Sequence, residues 1–205
     1  MNLEQARFAM IEQQVRPWDV LDTRVLEALT SLHREDFVAP EHRQLAFADL
    51  PLPLAHGETM MKPVVEGRVL QALALEPCDE VLEIGTGSGF ITACLARLAR
   101  EVVSIDRHAD FIATAGERIS RTGISNVRLE TADALAWQPN RMFDAIAVTA
   151  AVLEKDGMVL IARRKRGDRL ADKWEFPGGK VEEGETPEVC LQRELQEEFG
   201  IEVVV

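Results

Sequence analysis

An α/β fold built on a parallel sheet is what this 205-residue chain predicts, and three observations carry that expectation. Short apolar runs alternate with helix-period stretches from Glu80 to Val152. A glycine-rich turn, Gly85-Thr86-Gly87-Ser88-Gly89, joins the first of these runs to a helix. Beyond Val152 the pattern becomes an antiparallel hairpin followed by an acidic helix, so a parallel sheet of four strands is expected to continue into a smaller second part.

Residues 3–15 and 22–32 place apolar side chains such as Leu3, Ala6, Ile11 and Val15 near helical spacing, with Arg16-Pro17-Trp18-Asp19 as the break. A proline-rich passage from Val38 to Pro53 reads as irregular or extended. Pro63 suits a first helical position, and Val64, Val65, Val69, Leu70 and Leu73 give that helix a core-facing stripe before Glu76-Pro77 stops it. Strands at Glu80–Ile84, Glu101–Ile105, Asn126–Glu130 and Phe143–Val152 then alternate with helices at Ile91–Leu98 and Phe111–Arg121. Glu154-Lys155-Asp156-Gly157 reads as a hairpin turn with Met158–Ala162 returning.

Composition is that of an ordinary globular protein, with 46% hydrophobic and 28% charged residues. The net charge of −12 divides into −8 over residues 1–150 and −4 over residues 151–205. Neither part has the basic surplus that phosphate-backbone binding uses, so nucleic acid is not an expected partner. Cys78, Cys94 and Cys190 are odd in number and widely spaced, which fits reduced thiols rather than a disulfide framework or a zinc cluster. The N-terminus has no basic segment leading into an apolar run, and no stretch approaches the length of a membrane span. A cytoplasmic protein without a membrane partner is expected.

Gly85, Gly87 and Gly89 let the backbone turn tightly and approach a ligand closely. Asp106 ends the next strand 21 residues after Gly85, the separation at which a carboxylate accepts from a ribose. The spacing is Gly-x-Gly-x-Gly, and Phe90 stands where a dinucleotide fingerprint has its third glycine, which favours S-adenosylmethionine over a nicotinamide cofactor. Leu82–Phe90 resembles the cofactor loop of class I methyltransferases, which have a Rossmann-like sheet. That resemblance implies that Glu83 and Gly85, Thr86, Gly87 and Gly89 face the methionine part, Asp106 the ribose and Asp133 the adenine edge.

Arg34-Glu35-Asp36-Phe37-Val38, Leu45-Ala46-Phe47-Ala48-Asp49 and Gly57-Glu58-Thr59 narrow the likeness. With the glycine loop they make residues 1–150 similar to the protein-L-isoaspartate O-methyltransferase family, which implies a protein carboxylate as methyl acceptor and places Thr59 in the substrate loop. The family carries Thr-Ile-Ser-Gln-Pro where this chain has Thr59-Met60-Met61-Lys62-Pro63. Met61 replaces a serine, and a thioether cannot replace a hydroxyl as donor and acceptor. The family sheet has seven strands, and this chain reaches the fourth before its pattern changes.

The second motif is Gly179, then Glu185, then Arg193-Glu194-Leu195-Gln196-Glu197-Glu198-Phe199-Gly200-Ile201. Thr186 as N-cap, Pro187 at the first position and Gly200 as C-cap delimit a helix on which Glu194, Glu197 and Glu198 share an arc of about 100°. Like charges so placed repel by roughly 0.2–0.5 kcal/mol per pair unless a hard cation binds them. The plain alternative is a solvated acidic face. All fixed positions match the Nudix box, a resemblance implying Mg²⁺ or Mn²⁺ held by Glu197, Glu198 and a carbonyl near Gly179, with Glu194 as ligand or general base.

The expected architecture is thus a methyltransferase-like part over residues 1–150 joined without a linker to a partial Nudix part over residues 151–205, as in a chimera or a truncated fusion. In a sheet of order 3-2-1-4-5, Met158–Ala162 is expected to fill the vacancy beside Phe143–Val152. Three functions follow as alternatives: an S-adenosylmethionine-binding carboxyl methyltransferase, a metal-dependent nucleoside triphosphate pyrophosphohydrolase, or a hybrid with little catalysis. Whether two chains complete each other's sheet as a homodimer is left open by the sequence.

Overall fold

The computed structural model describes residues 2–134, 136–139 and 141–148, the strand residues 154–155, 158–159, 162–163 and 174–175, and Arg193. Its contacts divide the chain into two units, Met1–Ala151 and Val152–Val205.

In the first unit, α1 (Leu3–Met10) starts where the Asn2 side chain accepts from the Glu4 and Gln5 N–H groups, an N-cap satisfying two otherwise orphan donors. The helix expected to reach residue 15 does so through a π turn, Ile11–Val15, that buries both of its terminal side chains. Asp22 caps α2 (Thr23–Ser31) in the same way, and that helix buries Val25, Leu26, Ala28 and Leu29. Helix α3 (Pro63–Leu73) has its proline at the first position, as read from the sequence. It ends before Glu76-Pro77 because Ala74 turns left-handed, with φ 46°.

A short hairpin of β1 (Leu52–Pro53) and β2 (Thr59–Met60) precedes α3, in register Leu52 with Met60. Strands β3 (Glu80–Ile84), β4 (Glu101–Asp106), β5 (Val127–Thr131) and β6 (Ala145–Val148) form one parallel sheet of order β5-β4-β3-β6. This is the strand order 3-2-1-4 expected for the class. Helices α4 (Phe90–Leu98) and α5 (Ala109–Ser120) are the crossovers.

The larger core lies on the sheet face carrying Val81, Val102 and Ala147, packed with residues of α1 to α5. On the other face Leu82, Val103 and Ile105 form a smaller cluster with Ile84, Trp137 and Phe143. Strand β6 leaves Ile146 55% exposed.

In the second unit, β7 (Glu154–Lys155) pairs antiparallel with β8 (Met158–Val159), and β9 (Ala162–Arg163) with β10 (Trp174–Glu175). The expected hairpin is therefore present, with Glu154 opposite Val159 and Lys155 opposite Met158. The residues on which its pairing beside Phe143–Val152 would rest, 149–153 and 160–161, lie outside the described residues. Gly179, Glu185, Glu194, Glu197 and Glu198 lie outside the described residues, while Arg193 is helical.

Candidate functional site

Strand β3 ends at Ile84, and the Gly85 N–H still reaches the Ile105 carbonyl at 2.8 Å, so the glycine turn begins anchored to β4. Gly87 and Gly89 have φ of 49° and 82°, a region costly for residues with a Cβ. At Gly89, moreover, a Cβ would lie 2.7 Å from that of Ala115, so the missing side chain is what lets α5 pack against the start of α4.

Below the turn runs a buried chain of hydroxyls. The Thr92 and Ser104 hydroxyls donate to Oε2 of Glu83 at 2.5 and 2.6 Å, and Ser104 Oγ lies 2.6 Å from Thr86 Oγ1. Ser104 has given its only proton to Glu83, so Thr86 must donate to Ser104. Glu83 Oε1 has no partner. Burial outweighs the two hydroxyl donors and pushes the Glu83 carboxyl up to about 7.

Above the turn is a cavity of about 300 Å³, the lower end of the range for small-molecule sites. Gly85, Gly87 and Ile84 form its floor, Asp106, His108 and Phe111 one wall, and Ala132, Asp133 and Ala134 the far side. Leu54, Glu58 and Thr59 of the β1–β2 hairpin overhang it. Asp106 accepts from the Gly87 N–H at 3.0 Å and the His108 N–H at 2.9 Å, so one carboxylate fixes both the glycine turn and the entry to α5. Its main-chain carbonyl accepts from Ala132, holding the far side in place.

Among the residues proposed from the sequence, Gly85, Gly87, Asp106, Asp133 and Thr59 line this one cavity. Glu83, Thr86 and Gly89 do not. Alternation along β3 puts Glu83 on the Val81 face, under α4, whereas Ile84 faces the cavity, so Glu83 lies beneath the loop and is held by the Thr92 and Ser104 hydroxyls. Sequence reasoning missed Leu54, His108 and Phe111. Phe111 reads as a helix core position, and only its place one turn beyond Asp106 signals otherwise.

The protein-L-isoaspartate (D-aspartate) O-methyltransferase family model matches residues 5–171. A relative of that name from Myxococcus xanthus (strain DK1622) is 41% identical over 152 residues, covering 74% of this chain and 71% of that protein. The chain belongs to the protein-L-isoaspartate O-methyltransferase family. Its relative from Koribacter versatilis (strain Ellin345) is 39% identical over 73% of this chain and 67% of its own length. The one from Brucella anthropi is 34% identical over 98% and 90%.

A solved protein-L-isoaspartate O-methyltransferase superposes with a TM-score of 0.62 at 24% identity, over 71% of this chain and 48% of its own. A Plasmodium falciparum member in complex with S-adenosyl-L-homocysteine gives 0.58 at 19%, over 72% and 73%. Both likenesses show the fold. The NUDIX domain model matches residues 144–205, so the two family models share residues 144–171. This is the apolar segment that reads as a strand of either family, together with the hairpin after it. No helix among the described residues is long and apolar enough to cross a membrane.

Proposed function

We propose that the cavity over the glycine turn is the S-adenosylmethionine site of a carboxyl methyltransferase. The observation that carries this is the convergence of Asp106, Asp133 and the Cβ-free floor at Gly85 and Gly87 on one cavity large enough for a nucleoside. The fit is physical. Each Asp106 oxygen accepts one backbone N–H and retains capacity for another donor, which suits a ribose diol. A side chain at Gly87 would meet Leu54 Cδ1 at 3.4 Å and close the space between floor and overhang.

When bound, S-adenosylmethionine supplies an electrophilic methyl group on a sulfonium. The chain's own residues then bind and orient. Asp106 holds the ribose, Asp133 and its neighbours flank the adenine, and the Gly85–Gly89 turn receives the methionine part. The hairpin overhang of Leu54, Glu58 and Thr59 limits water and presents the acceptor carboxylate, so positioning is the main catalytic effect. Family membership supports a protein carboxylate as acceptor. Met61 packs against the core and gives its carbonyl to Arg34, so its thioether leaves the acceptor subsite without the family's serine hydroxyl.

Titration calorimetry with S-adenosylhomocysteine tests the reading. Micromolar binding is expected, weakened by about 1.5–3 kcal/mol in Asp106→Ala. Asp106→Asn, which keeps an acceptor for one backbone N–H, is expected to fall between. An Asp106→Ala protein that binds as tightly as the parent would refute the assignment.

A second reading rests on the NUDIX match. There Mg²⁺ or Mn²⁺ would bind at Glu197, Glu198 and the Gly179 carbonyl, and Glu194 would serve as ligand or base for hydrolysis of a nucleoside triphosphate. Weak or absent turnover is expected. Manganese-dependent hydrolysis that disappears in Glu197→Gln would make hydrolysis the main activity.

A further inference from the structure

Over the cavity mouth, the hairpin and the start of α5 meet through three side chains, of which His108 also lines the cavity. His56, from the hairpin, places Nε2 3.0 Å from both carboxylate oxygens of Asp110. Its ring stacks on His108 with centroids 3.9 Å apart and planes 3° from parallel, and both rings meet Phe111 edge-on. One donor atom from each of His56, His108 and Asp110 lies within 4.8 Å of the others.

The backbone is arranged around this meeting. His56 sits at φ 61° and ψ 14°, left-handed, and Gly57 follows at φ 80°. An L residue in that region costs roughly 1–2 kcal/mol, and such outliers persist where the surroundings fix them. Two hydrogen bonds, Leu54 N–H to the Glu58 carbonyl and Glu58 N–H to the Ala55 carbonyl, lock the loop that presents the imidazole.

We infer that His56, His108 and Asp110 are a binding site for one transition-metal ion of the zinc, cobalt or nickel class. Two imidazoles and one carboxylate are the donor set that selects such ions over Mg²⁺ and Ca²⁺, and three protein ligands leave a coordination position open. Ligands about 2.0–2.1 Å from a tetrahedral ion stand roughly 3.4 Å apart, so the three donors must draw together by no more than about 1.5 Å. Convergence on one ion requires one imidazole to turn out of the stack, and the exposure of His56 (41%) and Asp110 (57%) leaves room for that rotation. Bound there, the ion ties the Leu54–Thr59 overhang to the Asp106–Phe111 wall.

Cobalt titration of the full-length, untagged, chelator-treated protein tests this, read by calorimetry and visible absorption. One equivalent is expected to bind with micromolar affinity, to resist a large excess of Mg²⁺, and to show ligand-field bands without a thiolate charge-transfer band. His56→Asn, which tolerates the left-handed backbone, and His108→Asn and Asp110→Asn are each expected to weaken binding about tenfold or more, while His42→Asn leaves it unchanged. Circular dichroism of each variant checks that it remains folded. Binding absent up to millimolar cobalt, unaffected by the three substitutions, displaced by Mg²⁺, or accompanied by a thiolate band would overturn the proposal.

Discussion

Arg34→Leu is expected to destabilise the first unit by about 3–5 kcal/mol, the cost of leaving a buried carboxylate without its counter-charge. Arg34 is fully buried in a turn after α2 and reaches four separate segments. Its Nε and Nη2 donate to the two oxygens of Glu66 on α3 at 2.8 and 3.0 Å, Nη1 donates to the Ala46 carbonyl, and Nη2 also reaches the Met61 carbonyl at 2.6 Å. The guanidinium lies 5.6 Å from the ring centre of Phe90, the first residue after the glycine turn. Burial raises the Glu66 carboxyl above its ordinary range even with Arg34 alongside, so losing the guanidinium leaves a charge or a proton that the site was not shaped for.

A hydrophobic pair does not simply substitute. Arg34→Leu with Glu66→Leu removes the stranded charge but still leaves the Ala46 and Met61 carbonyls without this donor, at roughly 1–3 kcal/mol each if no water enters. Partial recovery is therefore expected. The neighbouring buried pair is less completely satisfied: Arg7 Nη2 meets Glu35 Oε1 at 2.5 Å, while Arg7 Nε and Glu35 Oε2 lack partners. Urea midpoints of the parent, both single variants and the double variant measure the coupling. An Arg34→Leu protein within 1 kcal/mol of the parent (about 1 kcal/mol being an ordinary substitution) would show that this hub does not hold the unit together.

The sheet was legible because its strands are nearly continuous apolar runs broken by helix-period segments, and the glycine turn with Asp106 fixed which strand ends meet the cavity. What escaped reading are contacts that periodicity does not encode. Arg34 and Glu66 stand 32 residues apart in sequence, and a charged residue after a helix reads as exposed until its partner is known. His56 and Asp110 are separated by 54 residues and meet only because the hairpin folds back over α5. Strand alternation against Ile84 sets Glu83 beneath the glycine turn, where it meets the Thr92 and Ser104 hydroxyls. The hairpin after Val152 was legible from its Asp156-Gly157 turn, and Lys155 does pair with Met158.

Glu83→Gln is expected to gain about 3 kcal/mol of stability relative to the parent as pH rises from 4.5 to 8, because the parent must place a charge where Gln does not. The Glu83 carboxyl is raised from its ordinary 4.5 to about 7, and burial is the largest cause. Below pH 4.5 the group is protonated in both folded and unfolded chains and makes no pH-dependent contribution. Between 4.5 and 7 the unfolded chain releases its proton while the folded chain keeps it, so stability falls as pH rises. Above 7 both forms are ionised and the full penalty, about 1.4 kcal/mol per pH unit over that interval, remains. Gln keeps an oxygen for the Thr92 and Ser104 hydroxyls but sets an amide where Oε1 lacks a partner, so the variant is expected to be the weaker protein at pH 4.5 and to overtake the parent near neutrality. The hydroxyl chain from Glu83 through Ser104 to Thr86 then links the protonation of a core carboxyl to the turn that floors the cavity. Denaturation curves at pH 4.5, 6 and 8 decide it: parallel pH profiles for parent and variant would mean that Glu83 does not carry this linkage.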